Sequence, residues 1–181
     1  SGRRIARTDA AGSYSVGTVA PSKQWYFADG YTVGSFRELL RVLNPSGRVA
    51  NVHLHLVSDQ GGTKDVAFQV GPSSRVGLTV GDLLAGKAIS ATISSDVAIV
   101  TERTEVFGTG NEGLTTAVGA TTPLTVQYID PGHLPARAQG HLALYNPQRQ
   151  EVKVSIALLN TKGGTTRTMQ LSIKAGRRAT L

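Results

Sequence analysis

The chain has 181 residues, 40% of them hydrophobic, with a net charge of +7, 21 glycines, 7 prolines and no cysteine. That is enough apolar material for a packed core and excludes a disordered chain, while the missing cysteine excludes disulfides, thiolate catalysis and cysteine metal sites together. No apolar run approaches the ~20 residues of a membrane-spanning helix, so no membrane span is expected, and the basic residues are too dispersed to track a phosphate backbone.

In chain order, the first segment is SGRRIARTDAAG, Ser1–Gly12. It carries no methionine and no leader, so the chain reads as a processed product or an excerpt, with any export signal lying upstream. Gln24–Tyr31, QWYFADGY, then places four of the ten aromatic residues inside eight positions. Strand alternation puts Trp25 and Phe27 on one face and Tyr26 on the other, the pattern of a core anchor. A sharper alternative is a platform on which sugar rings stack.

A strand ends at Leu43-Asn44-Pro45, because proline cannot donate to a ladder. Val52, Leu54 and Leu56 then alternate with Asn51, His53 and His55, and the turn SDQGGTKD leads into Val66, Phe68 and Val70. This is a half-buried β-hairpin. TVGDLLAGK is a helical candidate about one turn long, and two further strands follow as far as Gly108.

The same series then begins again. Tyr26, Gly30, Asn44 and Pro45 recur as Tyr128, Gly132, Asn146 and Pro147, displaced by 102 positions, and Gly61-Gly62 recur as Gly163-Gly164. One inserted residue later, Val70 stands opposite Ile173 and Arg75 opposite Arg178. Val152, Val154, Ile156 and Leu158, the turn NTKGGTTR, and Met169, Leu171 and Ile173 repeat the hairpin. The second copy stops at Leu181, before its two further strands, whereas Arg7-Thr8, Asp9 and Gly12 match Arg103-Thr104, Glu105 and Gly108 at the end of the first copy. The chain is out of phase with its own repeat. Short strands with regular turn signals predict an all-β protein of two tandem immunoglobulin-like β-sandwich modules, the second lacking its final strands. The expected divisions are a donor-like strand at 1–12, a first module at 13–108 and a second, incomplete module at 109–181.

Trp25, Tyr26, Phe27, Ala28, Asp29 and Gly30, followed by Val100, Glu102 and Arg103, resemble a repeat of bacterial secreted and surface proteins. That repeat is marked by Trp-Tyr-Phe-Ala-Glu-Gly and a later Val-Ala-Glu-Arg. Here aspartate stands in place of the glutamate, and the second copy, QYIDPG, has lost Trp, Phe and the acid. The resemblance implies an extracellular or cell-surface location and a modular architecture, and it brings no catalytic activity with it.

Chemistry is sparse. His53 and His55 have a spacing that can bind a metal, but no third ligand is evident, and Lys153 and Ser155 replace them in the second copy. His133 and His141 stand alone. Asp29, Asp96 and Glu102 have the acid-base chemistry, yet nothing in the sequence brings them together. No nucleophile elbow, phosphate loop, dinucleotide fingerprint or zinc-protease motif occurs. We therefore expect no enzyme, cofactor or metal, and no nucleic-acid partner. The basic balance suits an anionic glycan or a cell envelope.

Two functions fit. The first is a structural subunit of an extracellular filament or surface layer. It would polymerise head to tail by donating Arg4, Ile5, Ala6, Arg7, Thr8, Asp9, Ala10 and Ala11 as a strand to a neighbour. The second is a glycan- or surface-binding module of a longer adhesin, using Trp25, Tyr26, Phe27 and Tyr128.

Overall fold

One long strand organises the protein. The computed structural model describes residues 12–109, 113–129, 140–160 and 163–181, so the donor-like segment Arg4–Ala11, like Gly132 and His133, lies outside the described residues. Strand β6, Ile89–Phe107, runs for 19 residues. It is rich in Ile, Val and Thr, whose branched side chains suit a pleated surface. Ile89, Ala91, Ile93, Val97, Ile99, Thr101, Arg103 and Glu105 are all buried, so one parity points inward from Ile89 to Glu105, apart from the half-buried Ser95.

The other strands of the first copy are β1 (Ser22–Phe27), β2 (Arg37–Asn44), β3 (Ala50–Ser58), β4 (Thr63–Val70), β5 (Ser74–Thr79) and β7 (Gly113–Val118). The first half of β6 lies between β1 and β3, with β4 beyond β3. Its second half lies between β2 and β7, with β5 beyond β2. The register with β1 shifts between Ser22 and Gln24, an irregularity of the kind that bends a strand. The result is a curled seven-stranded sheet whose two flanks share β6 and enclose one core. The predicted helical turn is present, as a 3-10 turn at Val80–Asp82.

Trp25 is fully buried in that core, beside Phe27, Leu40, Val42, Leu54 and Ile93. Its indole N–H donates to the carbonyls of Ser22 and Ile99, each at 3.0 Å, which satisfies the one polar atom its burial brings inside.

The second copy repeats the parts but not the whole. Strands β8 (Ala143–Asn146), β9 (Val152–Leu159), β10 (Thr165–Ile173) and β11 (Arg177–Thr180) are the counterparts of β2 to β5. Its turns are the same: Gly61 and Gly163 adopt φ of +84° and +86°, a left-handed conformation open to glycine. Its asparagine pin is the same as well. The Asn44 side-chain amide donates to the carbonyls of Arg48, Val70 and Gly71 while its oxygen accepts from the Ser46 amide. Asn146 makes the matching bonds to Gln150, Ile173 and Lys174 and accepts from Gln148.

What differs is the sheet. No strand of the described residues takes the place of β6 in the second copy, and β8–β11 and β9–β10 form two separate two-stranded sheets. Val52, Leu54 and Leu56 are at most 1% exposed, whereas their counterparts Val154, Ile156 and Leu158 are half-buried or, for Leu158, 44% exposed. Leu124–Ile129, the counterpart of β1, forms no strand, and Leu124, Val126, Tyr128 and Ile129 are exposed. The ladder of β1 is with β6, and among the described residues its counterpart has no such strand to pair with. The division expected at residue 108 also moves: β7 pairs with β6 from Glu102 to Phe107, and Ala120 bridges to Tyr26. The first body therefore extends to Ala120.

Replacing Asn44 with Ala strips three buried or half-buried carbonyls of their donor. Unfolding in urea, followed by Trp25 emission, should show a loss of about 2–3 kcal/mol. Asn146→Ala should leave that same transition within about 0.5 kcal/mol, because Trp25 reports on the first body.

Candidate functional site

The inward parity of β6 brings charge into the protein at its second end. Arg103 and Glu105 follow Ile99 and Thr101 in the same phase, and Glu38 on β2 shares the phase of Leu40 and Val42. Glu38 and Glu105 are cross-strand partners, 1% and 4% exposed. Two carboxylates held opposite each other repel.

Their neighbours supply the countercharge. Arg103 donates to the Asp29 carbonyl and carboxylate, both at 2.8 Å, and lies 3.7 Å from Glu105. Gly30 is needed here, because a Cβ at that position would run into the Glu38 carboxylate. From the second copy, Arg178 on β11 is 8% exposed, sits 5.5 Å over the Tyr31 ring and reaches the Gly30 carbonyl at 3.5 Å. Three carboxyl groups thus face two guanidinium groups, and the balance is even when one carboxyl keeps its proton. Burial pushes Glu38 up to about 8, with Glu105 and Asp29 raising it further against the lowering pull of Arg103 and Arg178. Glu105 is raised as well, again by burial first.

A displaced carboxyl pair is the physical mark of an acid-base site. Here the pair is enclosed in the fold, and the arrangement can store a proton and hold strands together.

The cluster is also where the two copies meet. Tyr145 on β8 and Arg178 on β11 are cross-strand partners, so both project from the outer face of that two-stranded sheet. The Tyr145 hydroxyl lies 3.0 Å from the Thr92 hydroxyl on β6, and burial raises the pKa of the phenol. Arg177 donates to the Gly61 carbonyl at 2.7 Å. Thr92 is the register partner of Tyr26, so Tyr26 faces the seam while Trp25 and Phe27 face the core.

The remaining sequence candidates are scattered. Trp25 is 0% and Phe27 5% exposed, so neither ring offers a face to a ligand, while Tyr128 is 90% exposed. His55 pairs with Asp65 at 2.7 Å and His53 points outward. Among the described residues no group of three or more His, Asp or Glu is placed to hold a metal ion. Asp29 joins Arg103, Asp96 accepts from Asn51, and Glu102 lies 3.8 Å from Arg41, so the three acids do not converge. Arg178 is known from the sequence only as the counterpart of Arg75 and Glu105 only as that of Asp9, and Glu38 is not singled out there. Strand parity was the available signal, since it predicts that a charged residue in phase with Leu40 or Ile99 points inward.

The described residues form an all-β protein with a curled seven-stranded sheet, on which two two-stranded sheets with the same turns are seated. The chain belongs to DUF5719, a family of unknown function, whose model matches residues 37–181. No curated protein matches the sequence. Among solved structures, the crystal structure of Thermotoga maritima 1070 aligns with a TM-score of 0.53 at 19% identity, covering 56% of this chain and 96% of that one, a likeness of fold alone. The Anabaena sensory rhodopsin transducer aligns with a TM-score of 0.42 at 18% identity, over 49% of this chain and 91% of that one.

The Glu38 proton has a consequence for pH. Folded, the group holds its proton to about 8, whereas the ordinary value is 4.5. Below 4.5 both states carry the proton and the contribution is whole; between 4.5 and 8 only the unfolded chain ionises, so stability falls as pH rises. Urea unfolding at a series of pH values should show this decline. Glu38→Gln should make the decline shallower, its advantage over wild type growing from near zero below pH 4.5 by up to about 1.4 kcal/mol per pH unit towards pH 8, while Glu105, raised too, keeps part of the slope.

Proposed function

We propose that the protein is a structural subunit of an extracellular filament or surface layer, built from tandem immunoglobulin-like modules and joined head to tail by strand donation. The carrying observation is the unfilled place of β6 in the second copy. There the apolar face of β9 and β10 is open, and Leu124–Ile129, the counterpart of β1, is without a ladder. Proteins cover such edges, and a heterologous contact that does so propagates as a filament.

The donor is Arg4–Ala11 of a neighbouring subunit. Arg7 corresponds to Arg103, which pairs with Leu40, so the donated strand sets Ile5 opposite Leu144 and Ala6 opposite Ala143 along β8, with Arg7 opposite Leu142 just ahead of it. A segment of this length replaces the second half of β6 only. The edge of β9 and Leu124–Ile129 need a further strand, which the same neighbour or another module supplies.

The buried carboxyl pair supports a structural role over catalysis, as no substrate reaches it in the closed fold. A glycan-binding role has less support, since Trp25 and Phe27 belong to the core. No helix among the described residues is long and apolar enough to cross a membrane.

Deleting residues 1–11 should abolish concentration-dependent assembly, and a peptide of residues 1–12 added to the shortened chain should bind it. Assembly that survives the deletion, or a full chain that stays monomeric at high concentration, rules strand donation out.

A further inference from the structure

The seam between the two copies has an unoccupied equivalent on the first copy. Tyr145 and Arg178 are paired across β8 and β11, and together they seat the second copy on the first. The same register positions in the first copy are Leu43 and Arg75, paired across β2 and β5. Both point to the outer face, since Val42 and Val76, the adjacent pair, face the core. Leu43 is 42% exposed, among the exposed large apolar residues, and Arg75 is exposed too.

We propose that the Leu43–Arg75 face of β2 and β5 is a docking surface for a further module of this same repeat, the module presenting its Asp29-Gly30-Tyr31 and Glu38–Glu105 cluster. The occupant follows from the contact inside the chain. One module's β8–β11 face sits on the preceding module's β1–β6–β3 face, and the arginine closes the cluster. Arg75 then takes the place that Arg178 holds over Tyr31. The chemistry agrees, because the cluster has three carboxyl groups, one guanidinium group of its own in Arg103, and a position for a second from outside. Leu43 has no hydroxyl for Thr92, so it contributes apolar contact with the Tyr26 side of the seam where Tyr145 contributes a hydrogen bond as well. Repeated, the contact stacks modules in one direction, each seated on the last. It uses the outer face of the sheet, whereas strand donation fills the edge where β6 is missing, so the two do not depend on each other.

In one chain the cluster is occupied by that chain's own Arg178, so the test must vacate it. Labelled full-length chain carrying Tyr145→Ala and Arg178→Ala is titrated with unlabelled wild type, and binding is read by fluorescence anisotropy and by sedimentation. Binding is expected, and a partner carrying Arg75→Glu should bind about tenfold more weakly. Strand donation contributes equally with either partner, so only the difference between the wild-type and Arg75→Glu partners bears on this contact. Should the double substitution unfold the chain, as judged by Trp25 emission, Arg178→Glu takes its place, because a further carboxylate against Glu38, Glu105 and Asp29 drives the second copy off the cluster. Absence of binding, or binding that Arg75→Glu leaves unchanged, overturns the proposal.

Discussion

Most of the strand pairing that joins distant parts of the first body goes through β6. A strand of 19 residues, hydrogen-bonded on both edges, ties four otherwise separate strands into one curled sheet. Among the described residues β1 and β7 have no other ladder partner, and the β3–β4 hairpin and the β2–β5 pair are joined only through it. The second copy shows what these hairpins are without it. The turns form, the asparagine pin forms and the ladders form, yet the apolar faces stay partly open. Local chemistry specifies the hairpins, and closure is a separate event.

The buried charges follow from the same strand. A strand that keeps one parity inward must place whatever occupies that parity inside, and its second end carries Arg103 and Glu105. The cluster is thus built around an arginine, with Gly30 leaving room for Glu38 and the proton on Glu38 settling the balance. Removing Arg103 there should be costly, because it leaves carboxylates buried without their countercharge, whereas Glu38 is already neutral.

Much of this was legible in the sequence. The period-2 runs at Val52–Leu56 and Val152–Leu158, the Gly-Gly turns and the 102-residue displacement together specify the hairpins and their duplication. Trp25 and Phe27 occur in one phase and Tyr26 in the other, as they stand in the structure. What was not legible was which strands pair. Ser90–Phe107 could be parsed as two strands broken at Ser94-Ser95-Asp96, because serine and aspartate are turn formers, yet it forms one strand, held by pairing on both edges to either side of the register shift there. The placement of β7 was hidden for the same reason, since a boundary drawn from repeat spacing carries no information about ladder partners. Arg178 was identified as the counterpart of Arg75, but only the packing of one copy on the other shows that it enters a charged cluster.

The pairing scheme also sets an order of events in time. The β3–β4 hairpin joins residues near one another in the chain and the β2–β5 ladder closes around it, while the ladders of β6 reach further, joining Phe27 to Ala91 and Arg37 to Val106. Contacts of such separation form late, because the intervening chain must be ordered first. As the polypeptide leaves the ribosome, β1 to β5 are made and wait with open edges until Phe107 has emerged. The second copy, with its paired hairpins and unpaired β1 counterpart, has the shape of the first at that moment of waiting.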